Sequence, residues 1–454
     1  MKIINLFTDK IFYKNLFAIA IPIMLQNFIN SFVNVLDTVM IGRLGTVEIA
    51  AVGLGNNVFF FYMIVLFGIC SGGAVFIAQF WGKRDMKGIR KTVGLCCAVN
   101  LLIGSLFTIA GFLVPERIIG IYSTDGDVIR AGALYLRYIS PSFLPFALAQ
   151  VLVISLRSIE QVKAPMTTTI IALSINAVLN WLWIFGIGPF PAMGVAGAAL
   201  ATTVSRFTET ALLIGISRRR NYPIIGPLKE MLDFNRAFIG RYVRIVAPIV
   251  MNEFAWSLGV TMQNIIFART HTDAIAAFNI TGTVSQLTWV LFIGLGNGVG
   301  VLIGKKIGEG DHDGARNYAL KIIFFIPLAA LAAAAALIPI SHITPFIFKV
   351  NETVLHTAAQ MLFILAATYP CRAFNMAMVV GICRAGGDTV FCAIYDVAFM
   401  WTVALPAAAA ASFIFNAPFW VIYLLVLSEE FFKMTAGIWR FRSGKWLHDV
   451  TKGL

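Results

Sequence analysis

Charge is scarce in this sequence. Asp, Glu, Lys and Arg make up 13% of its 454 residues, about half the share of an ordinary soluble domain. A surface wetted on all sides cannot be built from so few charges. The six cysteines (Cys70, Cys96, Cys97, Cys371, Cys383, Cys392) lie in or beside apolar segments and show no metal-site spacing. That excludes an extracellular disulfide framework and leaves them as small packing residues. The histidines (His271, His312, His342, His356, His448) sit in loops or near the ends of apolar segments, without a Cys or Ser partner pattern. No carboxylate pair flanks a polar cleft, and no phosphate loop exists. The glycine-rich run 294–300 lacks the strand–turn–helix setting that dinucleotide binding needs. These absences argue against an enzyme, so neither catalytic residues nor a cofactor is expected. No cleavable signal peptide is visible. Residues 1–15 form a polar, basic lead-in, and the first apolar segment is expected to stay in place.

What the chain has instead is apolar length. Hydrophobic residues are 59% of the total and the mean hydropathy is +0.83. Twelve apolar segments lie near 16–41, 50–80, 92–114, 131–155, 166–186, 192–217, 240–268, 273–303, 316–340, 355–382, 388–412 and 416–439. At roughly 20 to 30 residues they suit spanning helices and are too long for barrel strands. Segments 50–80 and 273–303 exceed a bilayer and are expected to tilt or project beyond it.

The net charge of +13 follows the membrane rather than a nucleic acid. With a cytoplasmic N-terminus, and with span ends counted with the loops they adjoin, 27 of the 35 Lys and Arg fall in cytoplasmic segments and 6 in outer ones, and Arg206 and Arg372 fall well within spans. That is the positive-inside bias, and it places both termini in the cytoplasm. Clusters such as Lys83-Arg84, Arg218-Arg219-Arg220 and Lys305-Lys306 then orient the chain and lie near anionic lipid heads. No aromatic and basic platform exists outside the spans, so no nucleic-acid partner is expected.

The halves are copies. A shift of 226 residues lays Pro22 on Pro248, Phe28 on Phe254, Ser31 on Ser257, Arg43 on Arg269, Gly68 on Gly294 and Gly72 on Gly298. It also lays Gly82-Lys83-Arg84-Asp85 on Gly308-Glu309-Gly310-Asp311. Duplicated hydrophobic halves are a mark of secondary transporters, whose substrate sits between the repeats. Six spans per half give both halves one orientation, related by a pseudo-two-fold along the membrane normal. The sequence therefore predicts an all-α membrane protein of twelve helices in two six-helix lobes. Residues 1–217 form the first lobe, 218–239 an exposed cytoplasmic linker with a short helix around 228–232, and 240–454 the second lobe. Gly296, Gly300, Gly304 and Gly308 recur every fourth residue, a spacing that lets helix backbones approach closely.

Polar groups inside the spans ask for a reason, because a charge at mid-bilayer costs about 2.5–3.5 kcal/mol on insertion scales. Gln26, Asn30, Asn34 and Asp37 share one face of span 1. Either Asp37 serves an ion or proton site on an internal cavity, or it pairs with Arg43 near the outer end. Asn176 and Asn180, one turn apart in span 5, and Thr202 in span 6 offer oxygens for a sodium ion or a protonated acid. The plainer reading is amide bonding between helices. Glu253 lies in span 7 with Ser257, Thr261 and Asn264 on its face; the 226-residue shift pairs it with Asn27 and pairs Asp37 with Gln263. Measured from the paired prolines, the two acids differ by roughly 15 Å in depth at 1.5 Å per residue. Asp396 in span 11 has no basic neighbour in sequence, and Arg372 in span 10 is the expected counter-charge. Trp256, Tyr369, Tyr395 and Trp401 offer aromatic surface for a flat or cationic ligand, or simple packing.

These residues resemble the multidrug and toxic compound extrusion (MATE) family over essentially the whole chain. Pro22, Gln26 and the run Asp37-Thr38-Val39-Met40-Ile41-Gly42-Arg43-Leu44-Gly45, followed by Ile49-Ala50-Ala51-Val52-Gly53, look like its opening motif. The second copy runs from Pro248 to Gly308-Glu309-Gly310-Asp311, and Leu156-Arg157 and Arg384-Ala385-Gly386-Gly387-Asp388-Thr389 resemble its cytoplasmic motif. The resemblance implies antiport, in which an organic cation or amphipathic drug leaves as Na+ or H+ enters. It assigns coupling to Asp37 with Asn176, Asn180 and Thr202. It adds Glu253 from the acidic part of span 7, with Na+ at Asp37 or Glu253 as coupling ion and no structural metal. The expected cavity is Gln26, Asn30, Asn34, Trp256, Ser257, Tyr369 and Asp396. Some members carry an acid in span 10. Here Tyr369-Pro370-Cys371-Arg372-Ala373 has none, and Asp396 is the candidate substitute. The implied setting is the cytoplasmic membrane of a bacterium, with the protein a monomer and lipid its surroundings. The alternative is a flippase for lipids or lipid-linked oligosaccharides. A count of three acids against two arginines within spans leans toward cations. A third class, an enzyme acting on polyprenyl phosphates, would need clustered acids and bases at one interface.

Overall fold

The computed structural model of the protein describes residues 9–270, 272–347 and 351–454, the side chains of 272–274, 287 and 336–347 excepted. The first eight residues of the basic lead-in, His271 and the side chain of His342 lie outside the described residues. The described chain is helical, with no strand among its residues and one isolated antiparallel bridge between Gly387 and Leu447.

The first half contains α1 (Lys10–Gly42), α2 (Thr46–Lys83), α3 (Met86–Leu113), α4 (Pro115–Gly120), α5 (Gly126–Ile139), α6 (Phe143–Ser158), α7 (Lys163–Phe185) and α8 (Val195–Arg219). The connecting α9 (Leu228–Met231) leads to α10 (Arg236–Ala268), α11 (Thr272–Gly308), α12 (His312–Ile347) and α13 (Glu352–Met376). A π-helix, Ala377–Cys383, extends α13. Then come α14 (Thr389–Phe399), a second π-helix Met400–Ala404, α15 (Leu405–Phe413), α16 (Phe419–Leu427) and α17 (Glu429–Ser443). Ten helices among the described residues are long and apolar enough to cross a membrane. The remaining two expected spans fall short for visible reasons. Helix α8 carries Arg206 and Glu209 along its length, and the last span is divided at Ser428 into α16 and α17. Helix α2 runs for 38 residues, longer than a bilayer requires.

The duplication reappears as backbone geometry. After α2, Arg84 turns at φ 59° and Asp85 accepts the Gly88 amide at 3.0 Å. After α11, Gly310 turns at φ 77° and Asp311 accepts the Gly314 amide at 2.8 Å. Each carboxylate satisfies an amide that the first turn of a helix leaves unpaired. The Lys306 ammonium, together with that amide, holds the Asp311 carboxyl below the usual carboxylate range. A second pair of left-handed residues, Glu160 at φ 64° and Gly387 at φ 77°, lies three positions beyond Arg157 and Arg384 respectively.

The chain separates into two compact units, residues 25–242 with Leu454, and residues 1–24 with 243–453. In the first unit, Tyr62 anchors an aromatic core with Phe59, Phe107, Phe143 and Phe146, and its hydroxyl donates to the Phe143 carbonyl at 2.5 Å. In the second unit, the opening stretch of α1 packs on α12. Phe12 and Tyr13 meet Tyr318 and Phe325, and buried Lys321 pairs with Asp9 at 2.5 Å. That ammonium holds the Asp9 carboxyl below its ordinary range. Glycines of α11 serve two faces. A Cβ at Gly298 would lie 3.4 Å from the Ala20 Cβ, and one at Gly300 would lie 3.2 Å from the Val380 carbonyl in the first π-helix. The boundary between the units falls inside α1, shortly after Pro22, and inside α10, shortly before Pro248. Each proline removes one backbone donor and weakens its helix locally.

The connecting segment is largely exposed yet docked. Ile224 is buried, Arg90 pairs with Glu230 at 2.6 Å and donates to the Pro223 carbonyl at 3.3 Å, and Lys91 pairs with Asp233 at 2.8 Å. The short helix α9 lies on α3 over Gly94, where an added Cβ would collide with the Met231 carbonyl. Burial of Ile224 and three charge contacts outweigh the solubility of its basic residues. We expect Gly94→Ala to displace residues 223–233 and to raise the rate of limited proteolysis there by about tenfold, the effect of ~1.4 kcal/mol lost from docking. An unchanged cleavage rate would contradict this docking.

Candidate functional site

Four of the predicted residues form one set in the first unit. Asn180, on α7, donates one amide hydrogen to the Asp37 carboxylate at 2.6 Å and the other to Asn176 Oδ1 at 3.4 Å. Asn176 donates to Thr202 Oγ1 on α8 at 3.3 Å, and Thr202 donates to the Ala198 carbonyl at 3.1 Å. The set thus runs from α1 through α7 to α8, on a helix-helix contact that amides hold. The Asn180 Oδ1 atom is buried and unpaired. No ion pair holds Asp37 among the described residues, to Arg43 or to any other base. Arg206 acts on it through space, without a bond. A carboxylate so placed, with a neutral amide as partner and no fixed counter-charge, is suited to bind a proton or a small cation. Asn34 is exposed and Asn30 half-buried on the same helix, and neither side chain joins the set.

Gln26 belongs elsewhere. Its carbonyl oxygen accepts from Arg157 at 2.6 Å, and its amide donates to Thr169 Oγ1 at 2.7 Å. Thr169 donates to Glu209 at 2.7 Å, and the other Glu209 oxygen accepts from Arg206 at 2.8 Å. Arg206 also lies over the Phe146 ring at 4.9 Å. Glu209 was not among the expected acids, yet it is 4% exposed, pairs with Arg206 and connects through Thr169 and Gln26 to Arg157. The sequence signal was the Arg206–Glu209 spacing of three residues inside an apolar helix, which stacks the two side chains on one face.

The second unit is organised by ion pairs. Glu253 on α10 pairs with Arg384 at 2.6 Å. Asp396 pairs with Lys433 at 3.2 Å and accepts from Asn252 at 3.1 Å. Lys433 also pairs with Glu429 at 3.2 Å, one turn earlier on α17. Arg372, expected beside Asp396, instead lies 3.4 Å from Glu430 and over the Trp289 ring at 5.0 Å. The reason is reach across the bundle: α17 brings Lys433 to Asp396, and Asn375 fixes Glu430 beside Arg372 by a 2.8 Å hydrogen bond. Tyr395 donates to Asn375 at 2.5 Å, which absorbs one of the predicted aromatics into this network. Trp401 donates to the Ala255 carbonyl at 3.2 Å. Trp256 is exposed and Ser257 buried, while Tyr369 is fully buried with its ring edge-on to Phe292. The expected count of three acids against two arginines therefore gives way to Asp37, Glu209, Glu253, Asp396, Glu429 and Glu430 facing Arg157, Arg206, Arg372, Arg384 and Lys433.

Two contacts are structural echoes. Arg157 and Arg384 each bond a residue 131 positions earlier, on the helix that opens a half and just beyond its proline. Gln26 and Glu253 thus occupy one role, a residue away from the register in which Glu253 falls on Asn27. The first acceptor is neutral and the second charged. Both π-helices lie in the second half, one leading into Arg384 and one starting four residues after Asp396. Such segments are frequent at functional positions.

The family model MatE matches residues 22–182 and 248–410, one block per half. The probable multidrug resistance protein NorM of Thermotoga maritima is 24% identical, with 95% of this chain and 93% of that protein covered. The multidrug resistance protein PmpM of Pseudomonas aeruginosa is 25% identical, with 87% of this chain and 82% of that protein covered. The crystal structure of MATE in complex with MaL6 superposes with a TM-score of 0.86 at 18% identity, covering 95% of this chain and 97% of that one. With matched blocks that take in both halves and both prolines, the chain belongs to the MatE family of membrane-embedded, multi-pass transporters.

Proposed function

We propose that this chain is an antiporter that exports organic cations or amphipathic drugs in exchange for Na+ or H+, with Asp37 as the coupling carboxylate. One observation carries the reading. Asp37 has one amide partner, Asn180, whereas Glu253, Asp396, Glu429, Glu430 and Glu209 each have a lysine or arginine within bonding distance. A carboxylate that already holds a guanidinium or ammonium gains little from a passing cation; Asp37 gains its first counter-charge. Asp37, Asn176, Asn180 and Thr202 supply side-chain oxygens for Na+, and a protonated Asp37 would keep its hydrogen bonding within the same set. Loss of the Asp37 charge weakens the attraction for a cationic substrate, so ion and substrate compete. The family match and the multidrug-resistance names of its relatives support export over a flippase role. We further infer a monomer in a bacterial cytoplasmic membrane with both termini in the cytoplasm, on the strength of the positive-inside bias.

The two arginine clasps suggest which helix moves. Both clasps have an ionised donor, worth about 1.5–3 kcal/mol as a hydrogen bond, and the Arg384–Glu253 clasp adds the attraction of an opposite charge on the acceptor. Arg157 on Gln26 therefore releases α1 more readily than Arg384 on Glu253 releases α10. With Pro22 four residues before Gln26, cation binding at Asp37 shifts the far part of α1 about a weakened point.

Asp37→Asn is expected to lower gradient-driven ethidium efflux from proteoliposomes by more than about tenfold, a coupling loss of at least ~1.4 kcal/mol. Efflux at the full wild-type rate under either a sodium or a proton gradient would sink the assignment. Gln26→Glu gives α1 a charged clasp, and single-turnover efflux should slow by about fivefold for each ~1 kcal/mol gained. A rate equal to or above wild type would show that release of Arg157 from Gln26 does not limit the cycle.

A further inference from the structure

Lys433 is, with Lys321 and Arg384, one of three almost fully enclosed cations of the second unit. Its residue is 3% exposed, and its ammonium sits 3.2 Å from Asp396 Oδ1 and 3.2 Å from Glu429 Oε1. Around it, Glu429 Oε2 and Asn252 Oδ1 are buried without partners, at 6% and 2% residue exposure. Asn252 uses its amide hydrogen on the other Asp396 oxygen at 3.1 Å. Glu430 and Arg384 act on the same cluster through space. Two carboxylates on one nitrogen, with the free amide oxygen of a residue bonded to one of them, are a donor set for a hard monovalent cation or a shared proton. Here that spot holds a nitrogen tethered to the chain. The first unit shows the contrast: Arg206, also on the closing span of its half, bonds Glu209 and leaves Asp37 without a bound base.

We propose that the Lys433 ammonium is a built-in counter-ion occupying the cation position of a second carboxylate site formed by Asp396, Glu429 and Asn252, so that the transporter exchanges a single cation. The inference rests on the assignment of coupling to Asp37. The lysine sets one fixed positive charge between the two carboxylates in every state of the cycle, because a tethered charge is not released to either side of the membrane. Removal of its nitrogen leaves two carboxylates sharing one pocket, which cannot both stay ionised without a cation between them.

The test counts cations bound by purified protein, with radiolabelled sodium at alkaline pH and with proton uptake on acidification in sodium-free buffer. Wild type should bind one cation that Asp37→Asn abolishes. Lys433→Gln should bind one more, retained when Asp37→Asn is added and lost when Asp396→Asn is added; Lys433→Arg should behave as wild type. If Lys433→Gln does not survive gel filtration, Lys433→Gln with Glu429→Gln removes one charge of each sign and should still gain one cation through Asp396 and Asn252. An equal count in wild type and a folded Lys433 variant overturns the proposal, as does a wild-type cation that Asp396→Asn removes. No Asp37-dependent cation in wild type, with the gain at Lys433→Gln intact, would instead overturn the assignment of coupling to Asp37.

Discussion

A carboxylate taken out of water costs several kcal/mol even after the protein relaxes around it, and a neighbouring base recovers that cost only with close geometry. The interior of this chain is arranged around that constraint. Glu209 is held by Arg206 and Thr169, Glu253 by Arg384, Asp396 and Glu429 by Lys433, and Glu430 by Arg372 and Asn375. Asp37 departs from the pattern, since what it receives is one amide hydrogen of Asn180. The exception carries the proposal made above: a coupling carboxylate needs compensation that comes and goes, and the other acids already have fixed partners.

The same logic explains why two copies of one ancestral half no longer do one job. Both halves keep the turn after their second span, with a left-handed residue followed by an aspartate that caps the next helix. Both keep an arginine clasp beyond the opening proline. They diverge in what the clasp holds and in where the base of the closing span points. Gln26 makes the first clasp neutral and Glu253 makes the second ionic. Arg206 turns to an acid on its own helix, while Lys433 bridges to Asp396 across the bundle. On the proposed assignment of coupling to Asp37, those few side chains make one half responsive and the other fixed.

Much of the fold was legible because hydrophobic length and an ungapped repeat are properties of the chain itself. The spans, the two halves and the set of Asp37, Asn176, Asn180 and Thr202 follow from periodicity and from resemblance to a family motif. Pairing across the bundle was not legible. Asp396 shows no base nearby in sequence, and nothing in the order of residues says that Lys433 rather than Arg372 will reach it. Gln26 shares a helical face with Asp37, but Arg157, some 131 positions away, draws it into a separate network. The segment 218–239 reads as exposed because it is basic and contains prolines, whereas Ile224 and the close approach at Gly94 dock it. Periodicity reports which face a residue occupies; it does not report which long side chain arrives from another helix.

If one vacant carboxylate does the coupling, the number of cations per substrate is fixed. The direct measurement is a reversal potential. Wild-type protein in vesicles is set against opposing gradients of a cationic substrate and of the coupling ion, and the membrane potential at which net flux stops is recorded. The account predicts a one-for-one exchange, which for a monovalent cationic substrate is electroneutral and leaves the balance point insensitive to voltage. A balance point that shifts with voltage as two or more cations per substrate require would contradict it.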